Sequence, residues 1–165
     1  MWTEENAEKL AELLNPIHAG EYELKTYLRE QGHKVQDVSN NPDYWKKDID
    51  LIVDDTHTVE VKWDSKLYDT GNLFVETLSD TEYKRAGWFK FCEADTLAYG
   101  DAVNKYFYLF DFEALKEHIE AHKGDYKTVV AADYGKDGIK KFSEGYLVPI
   151  DTLSGLYNTL DLWGY

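Results

Sequence analysis

Two short apolar runs separated by a polar turn, within residues 48–63, constrain the fold of this chain more than any other feature. Asp50 opens the first run, and the second contains the pattern Glu60-x-Lys62. Side chains two residues apart in a strand point to the same face, so we expect a β-hairpin on which Glu60 and Lys62 stand side by side. The residues predicted to face the core from the same run are Val59, Val61 and Trp63.

Two carboxylates and one amine on neighbouring strands suit the hydrolysis of a phosphodiester. Carboxylate oxygens bind hard divalent cations, and a lysine polarises water or neutralises charge that builds on a phosphate. Asp and Glu together make up 32 of the 165 residues, so this spacing also arises by chance. A solvated Glu60–Lys62 pair on an amphipathic hairpin therefore stays open as the alternative.

Residues 20–32 predict a helix upstream of the hairpin. Leu24 and Leu28 recur at helical spacing with Tyr27 beside them, and Gly32 is typical of the position just beyond a helix end. Glu21 falls near the helix start on the inward edge. It either reaches the carboxylates of the hairpin or only interacts favourably with the helix dipole.

This order of helix, strand, polar turn and hairpin resembles the core of the PD-(D/E)xK nuclease superfamily over roughly residues 19–78. Residues 20–32 resemble the opening helix of its Holliday-junction-resolvase-like members. The resemblance implies an α/β, restriction-endonuclease-like fold with a mixed β-sheet core flanked by helices. It also implies a metal-dependent endonuclease that hydrolyses phosphodiester bonds in DNA. The catalytic positions that match are Glu21, Asp50, Glu60 and Lys62.

The same resemblance implies Mg²⁺ or Mn²⁺ as cofactor. The expected ligands are the carboxylates of Asp50, Glu60 and Glu21, and by resemblance alone the backbone carbonyl of Val61. The chain departs from the superfamily's motif in one respect, because no proline directly precedes Asp50. A literal Pro-Asp pair does occur at 42–43, but no apolar strand follows it.

Two further acids are candidates for a supporting role. Asp48 competes with Asp50 and is predicted to share its strand face. Residues 70–76 resemble a TGN-x-x-x-E run found in phage-type and restriction-like members. If the strand that begins at Asn72 lies beside the Glu60 strand, it brings Glu76 near the metal, and otherwise Glu76 is an exposed strand carboxylate.

Length and composition predict one cytoplasmic domain over residues 1–165, with a motif core at about 19–111 and a C-terminal extension at about 112–165. No apolar run approaches eighteen residues, so no membrane span or membrane partner is expected. The acidic start lacks the basic region of a signal peptide. The single cysteine, Cys92, excludes an internal disulfide framework and is expected to be a buried, inert thiol.

The net charge of −14 is the strongest objection to a DNA partner, because phosphate contacts normally require a basic surface. A rival interpretation is a non-enzymatic acidic protein that imitates DNA and binds a basic nucleic-acid enzyme. A third is a nuclease fold without activity that serves in an assembly. Related resolvases and restriction enzymes are often homodimers, which leaves that state open here.

The rest of the chain predicts further elements but no second site. Expected helices cover residues 3–14 and 93–99, one that starts after the cap Asp111, and one near Asp151; expected strands cover 86–91, 105–110, 128–131 and 144–148. His118 and His122 are expected on an exposed helix face. Trp45 either stacks on a base or packs in the core, and we expect packing.

Overall fold

The computed structural model describes residues 19–134 and 138–162. The predicted helix over residues 3–14 lies outside them. The helices of the described part are α1 Ala19–Glu30, α2 Pro42–Trp45, α3 Leu67–Thr70, α4 Trp88–Phe91 and α5 Phe112–His122. Two 3₁₀ turns, Lys123–Asp125 and Ile150–Leu153, complete the helical elements of this part.

The strands of the described part form two sheets. Their bounds are β1 Val35–Asp37, β2 Leu51–Val53, β3 His57–Asp64, β4 Asn72–Asp80, β5 Arg85–Ala86, β6 Thr96–Asp101, β7 Tyr106–Asp111, β8 Lys127–Tyr134, β9 Lys140–Pro149 and β10 Tyr157–Asp161. The first sheet has the order β1-β2-β3-β6-β7-β10, and the second has the order β5-β4-β9-β8. Only the β3–β6 pair is parallel among these ladders, so the chain is a mixed α/β protein.

Both faces of the first sheet are covered. On one face α1 packs through Leu24 against Val59 and Val61 of β3. On the other face, α4, α5 and the second sheet enclose a larger core around Leu97 and Phe110. The central strands are therefore apolar on both sides, and all three residues of β2 are buried.

The hairpin and the opening helix confirm their predictions. β2 pairs antiparallel with β3, and the turn between them has Asp54 and Asp55 at φ values of 50° and 67°. The helix α1 ends before Gly32, whose φ of +90° suits the left-handed position beyond a helix. The predictions for β7, for the β8–β9 pair and for α5 are also confirmed, and the Asp111 side chain accepts a hydrogen bond from the Ala114 amide.

The segment between residues 86 and 101 contradicts its predictions. A strand was expected at 86–91, but the structure has only the short β5 there, followed by the helix α4. A helix was expected at 93–99, but the structure has a loop there that leads into the strand β6. Five of the six residues of β6 are buried because it is a central strand covered on both faces. The apolar residues therefore form an unbroken run rather than an alternating pattern, and such a run does not distinguish strand from helix.

The segment after residue 111 contributes strands to both sheets. The strand β9 pairs with β4 of the motif core, and β10, which was not predicted, pairs with β7. Near Asp151 the expected helix is a single 3₁₀ turn. Within the described ranges, no helix combines the length and apolar character needed to cross a membrane.

Candidate active site

The hairpin holds Asp50 against the middle of β3. Asp50 directly precedes β2, and its amide donates to the Val59 carbonyl at 2.9 Å. The pairing of β2 with β3 begins at Leu51, opposite Val59, so no β2 residue lies opposite Val61. The Val61 amide instead donates a hydrogen bond to the Asp50 carboxylate, also at 2.9 Å. The Asp50 carboxylate thus accepts the hydrogen bond that a backbone carbonyl of a paired strand would accept. This bond fixes the orientation of the Asp50 side chain.

Glu60 and Lys62 lie on the same face of β3, as the two-residue period predicts. The Lys62 ammonium forms an ion pair with the Glu60 carboxylate. It also contacts the Asp48 carboxylate at 3.4 Å and lies 5.4 Å from the centre of the Trp88 ring. Glu60 is only 2% exposed, so the alternative of a solvated pair is wrong. The reason is that the second sheet and α4 cover this face.

Asp48 differs from its prediction in position. It precedes β2 in a turn and has a φ of +54°, so it does not share a strand face with Asp50. Its carboxylate nevertheless reaches Lys62, and its backbone carbonyl accepts a contact from the Cys92 thiol at 3.5 Å. Asp48 thus supports the lysine from the turn rather than from the strand.

Burial dominates the protonation of this cluster. Burial raises the pKa of Glu60 well above its ordinary value. The Lys62 ammonium lowers this pKa, whereas the Asp50 and Asp48 carboxylates raise it further. Burial likewise raises the pKa of Asp50. Burial disfavours the charge on Lys62, but the Glu60, Asp48 and Asp50 carboxylates outweigh this effect and raise its pKa. These carboxylates therefore favour the charged form of Lys62.

The helix α1 brings Glu21 to the same pocket. Gly20 allows this close approach, because a Cβ atom at residue 20 would lie 2.7 Å from the Cβ atom of Trp63 on β3. Glu21 is buried at the start of α1. The pocket has a volume of about 550 Å³, and its ionisable lining residues are Glu21, Asp48, Asp50, Glu60 and Lys62. All four predicted catalytic residues therefore line the same pocket.

Glu76 does not belong to this group. The strand β4 that carries it pairs with β9 and β5 in the second sheet, whereas the neighbours of β3 are β2 and β6. The prediction of a third strand beside β3 is wrong, and Glu76 does not line the pocket. Glu76 instead packs next to Gly87, where an added Cβ atom would lie 2.7 Å from the Glu76 Cγ atom.

Trp45 lines the pocket and does not pack in the core, contrary to the prediction. It is 57% exposed at the end of α2 and borders the pocket, whereas its neighbour Tyr44 packs against the core. The nearby Lys46 and Lys47 pointed to this arrangement, because cations beside an exposed aromatic ring are typical of nucleic-acid contacts.

Several oxygen atoms of the pocket are of the chemical kind that hard divalent cations bind. The Glu60 Oε2 atom is buried and has no hydrogen-bond partner within the described part of the chain. The Val61 amide and carbonyl point to the same side of β3, which is the side left open beyond the end of β2. Among residues 19–134 and 138–162, no three His, Cys, Asp or Glu side chains form a ready-made metal site. Lys62 lies between the carboxylates instead.

The remaining reactive side chains lie elsewhere or are inert. Burial raises the pKa of the Cys92 thiol to about 12, as expected of an unreactive cysteine. The rings of His118 and His122 stack 4.3 Å apart, and His122 bonds to the His118 carbonyl on the helix surface.

Comparison of the chain with protein-family models, with curated proteins and with solved structures found no match.

Proposed function

We propose that this protein is a metal-dependent deoxyribonuclease with a restriction-endonuclease-like fold. The observation that carries the proposal is the buried Glu60–Lys62 pair, which shares a pocket with Asp50 and Glu21. Burying several carboxylates together costs stability, and apolar residues would serve the fold better. Perturbed ionisable groups gathered in a pocket are typical of catalytic sites.

Asp50, Glu60 and the Val61 carbonyl are the residues proposed to hold Mg²⁺ or Mn²⁺, and Glu21 holds it directly or through water. When bound, the cation supplies Lewis-acid chemistry that activates water and neutralises charge on the phosphate. The orphaned Oε2 atom of Glu60 supports this assignment, because a buried carboxylate oxygen without a partner is costly unless something binds it.

The ion-pair contacts of Lys62 favour one of its two candidate roles. A general base must release its proton before it can accept one from water. Lys62 contacts the Glu60 and Asp48 carboxylates, which favour its charged form, and we therefore propose that it acts as a cation that stabilises charge developing on the phosphate. Trp45 at the rim provides an exposed ring on which a base can stack.

The competing proposal of a DNA mimic rests on the net charge of −14. A mimic needs its carboxylates on the surface, where a basic partner can reach them. Glu21 and Glu60 are buried instead, at 8% and 2% exposure. These two carboxylates therefore cannot belong to the surface of a mimic, and their burial supports the catalytic site, although other acidic residues do lie at the surface.

The test is a cleavage assay on single-stranded, duplex, flapped and four-way-junction DNA with Mn²⁺ or Mg²⁺ at low and moderate salt. We expect cleavage that Asp50→Asn reduces at least about 100-fold, since a group that acts on transition-state charge contributes roughly 3–4 kcal/mol. Asn is nearly isosteric and can still accept the Val61 hydrogen bond, so the variant should fold.

Asp54→Asn is the matched control. It makes the same change in net charge on the same hairpin, and Asn tolerates the left-handed conformation of that turn. Equal cleavage by both variants would point to a contaminating nuclease. A folded protein that cuts no DNA but captures a basic DNA-handling enzyme, more weakly as salt rises, would favour the mimic.

A further inference from the structure

A second pocket begins where the candidate active site ends. Lys62 and Trp63 border both pockets. The second pocket has a volume of about 510 Å³ and lies between the two sheets. Its walls are mainly apolar and come from five elements, through Phe74, Trp88, Tyr99, Val129 and Leu147.

The buried hydroxyl of Tyr99 connects two walls of this pocket through hydrogen bonds. The Tyr99 hydroxyl donates to the Asp64 carboxylate at 2.6 Å and accepts the Phe74 amide at 3.0 Å. It thereby ties β4 of the second sheet to β3 and β6 of the first. The pocket is thus preformed rather than a gap between loosely packed layers.

Polar groups at the mouth of this pocket remain available for a ligand. The Lys66 side chain is exposed and forms no ion pair with another described residue. The Asn72 side-chain amide forms no hydrogen bond within the described part of the chain, although its backbone amide bonds to Thr70. The pocket thus combines an aromatic and aliphatic interior with a free amide and a free ammonium.

We propose that this second pocket takes one unstacked nucleobase of the DNA strand whose phosphate contacts Lys62. The inference rests on the proposed nuclease function and narrows its substrate class. Trp88 and Tyr99 are almost fully buried behind the wall, and its accessible part is formed by the partly buried Phe74, Val129 and Leu147. This apolar surface with one aromatic ring suits the face of a base, the amide suits its polar edge, and Lys66 suits a neighbouring phosphate.

A base enters such a pocket only when it leaves the double helix. Extrusion costs least where the nucleotide is already unpaired. The preferred substrates are therefore DNAs with an unpaired nucleotide beside the cut, such as a flap, a bulge or a single strand. A fully paired duplex is cut more slowly.

The experiment compares a duplex carrying one unpaired nucleotide with the same DNA carrying an abasic residue at that position, and with the fully paired duplex. Single-turnover cleavage is measured with Mg²⁺, and affinity is measured with Ca²⁺ in its place. The wild type should prefer the unpaired base over the abasic residue by roughly tenfold, as expected for one stacked base. Val129→Trp should fill the pocket and remove the preference.

Val130→Trp is the matched control, because Val130 is the next residue of β8 and is 58% exposed, outside the pocket lining. It should keep the preference. Equal treatment of the abasic and unpaired DNA by the wild type would overturn the inference even if Val129→Trp failed to fold. DNA cleavage without any base preference would leave the nuclease proposal intact, whereas absence of both cleavage and binding would overturn both.

Discussion

At Glu60, burial and charge act against each other. The carboxylate is almost fully enclosed, and Lys62 is the cation that compensates it. Removing one partner of a buried ion pair leaves the other uncompensated, which costs more than removing both. The stability of the site therefore depends on the pair rather than on either residue.

Lys62→Met is expected to lower the free energy of unfolding by about 3 kcal/mol at pH 7. Adding Glu60→Gln should restore at least about 1 kcal/mol, because the uncompensated carboxylate is then gone. The measurement is chemical denaturation of the two variants and the wild type. A double variant less stable than Lys62→Met would contradict this view of the pair.

The pH dependence of Lys62→Met follows from the raised pKa of Glu60. Below about 4.3, both the folded and the unfolded protein keep the Glu60 proton, and the penalty is absent. As the pH rises, the unfolded chain releases the proton before the folded chain does, so stability falls. The free energy of unfolding of Lys62→Met should therefore fall increasingly below that of the double variant as the pH rises above about 4.3. A difference between the two variants that stays constant with pH would contradict this prediction.

At the scale of elements, the docking of α1 on β3 places Glu21. The helix packs through Leu24 on the core, Gly20 lies against Trp63, and Lys25 forms an ion pair with Asp37 of β1 at 3.0 Å. A shift of the helix start would move Glu21 away from the pocket. The glycine therefore affects both packing and the site.

Gly20→Ala is expected to destabilise the protein by about 1–3 kcal/mol, because the added methyl group overlaps Trp63 and the helix must move. Gly124→Ala is the control, since a Cβ atom there meets nothing within 4 Å and the residue follows α5. The measurement is urea denaturation. Equal stabilities of the two variants would show that α1 tolerates displacement.

Element order and strand period predicted much of the site but not its neighbours. The two-residue period placed Glu60 and Lys62 on one face, and the apolar run after Asp50 located β2. The same period orients Glu76 along β4, yet it does not say which strand pairs with β4. That partner is β9, about 70 residues later, and pairing at such distance leaves no local signal.

At the scale of the whole molecule, the two sheets, α4 and α5 enclose the larger of two cores, around Leu97 and Phe110, while α1 and the first sheet enclose the smaller one. This packing is why Glu60 is buried, and the short pattern around it could not predict that. On the same face, Trp88 of α4 lies against Lys62, and residues of the second sheet share a pocket with it. The hydroxyl of Tyr99 is the hydrogen-bonded link between the sheets at the second pocket.

Tyr99→Phe should lower the free energy of unfolding by about 1–3 kcal/mol, because the Phe74 amide and the Asp64 carboxylate each lose a partner in a mostly buried position. Tyr108→Phe, on the neighbouring strand β7, is the control and should change stability by less than about 0.5 kcal/mol. Thermal and urea denaturation both report the difference. Equal decreases in the free energy of unfolding of the two variants would mean that the hydrogen bonds of Tyr99 do not stabilise the packing of the two sheets.

The most direct test of the proposed metal site is Mn²⁺ binding, measured by the loss of the free-ion electron paramagnetic resonance signal. It requires no knowledge of the DNA substrate. The wild type and Asp54→Asn should bind at least one Mn²⁺ per chain, and Asp50→Asn, with the same net charge as Asp54→Asn, should bind it at least tenfold more weakly, a difference of about 1.4 kcal/mol. Equal Mn²⁺ affinity of the two variants would contradict a metal site at Asp50 and Glu60.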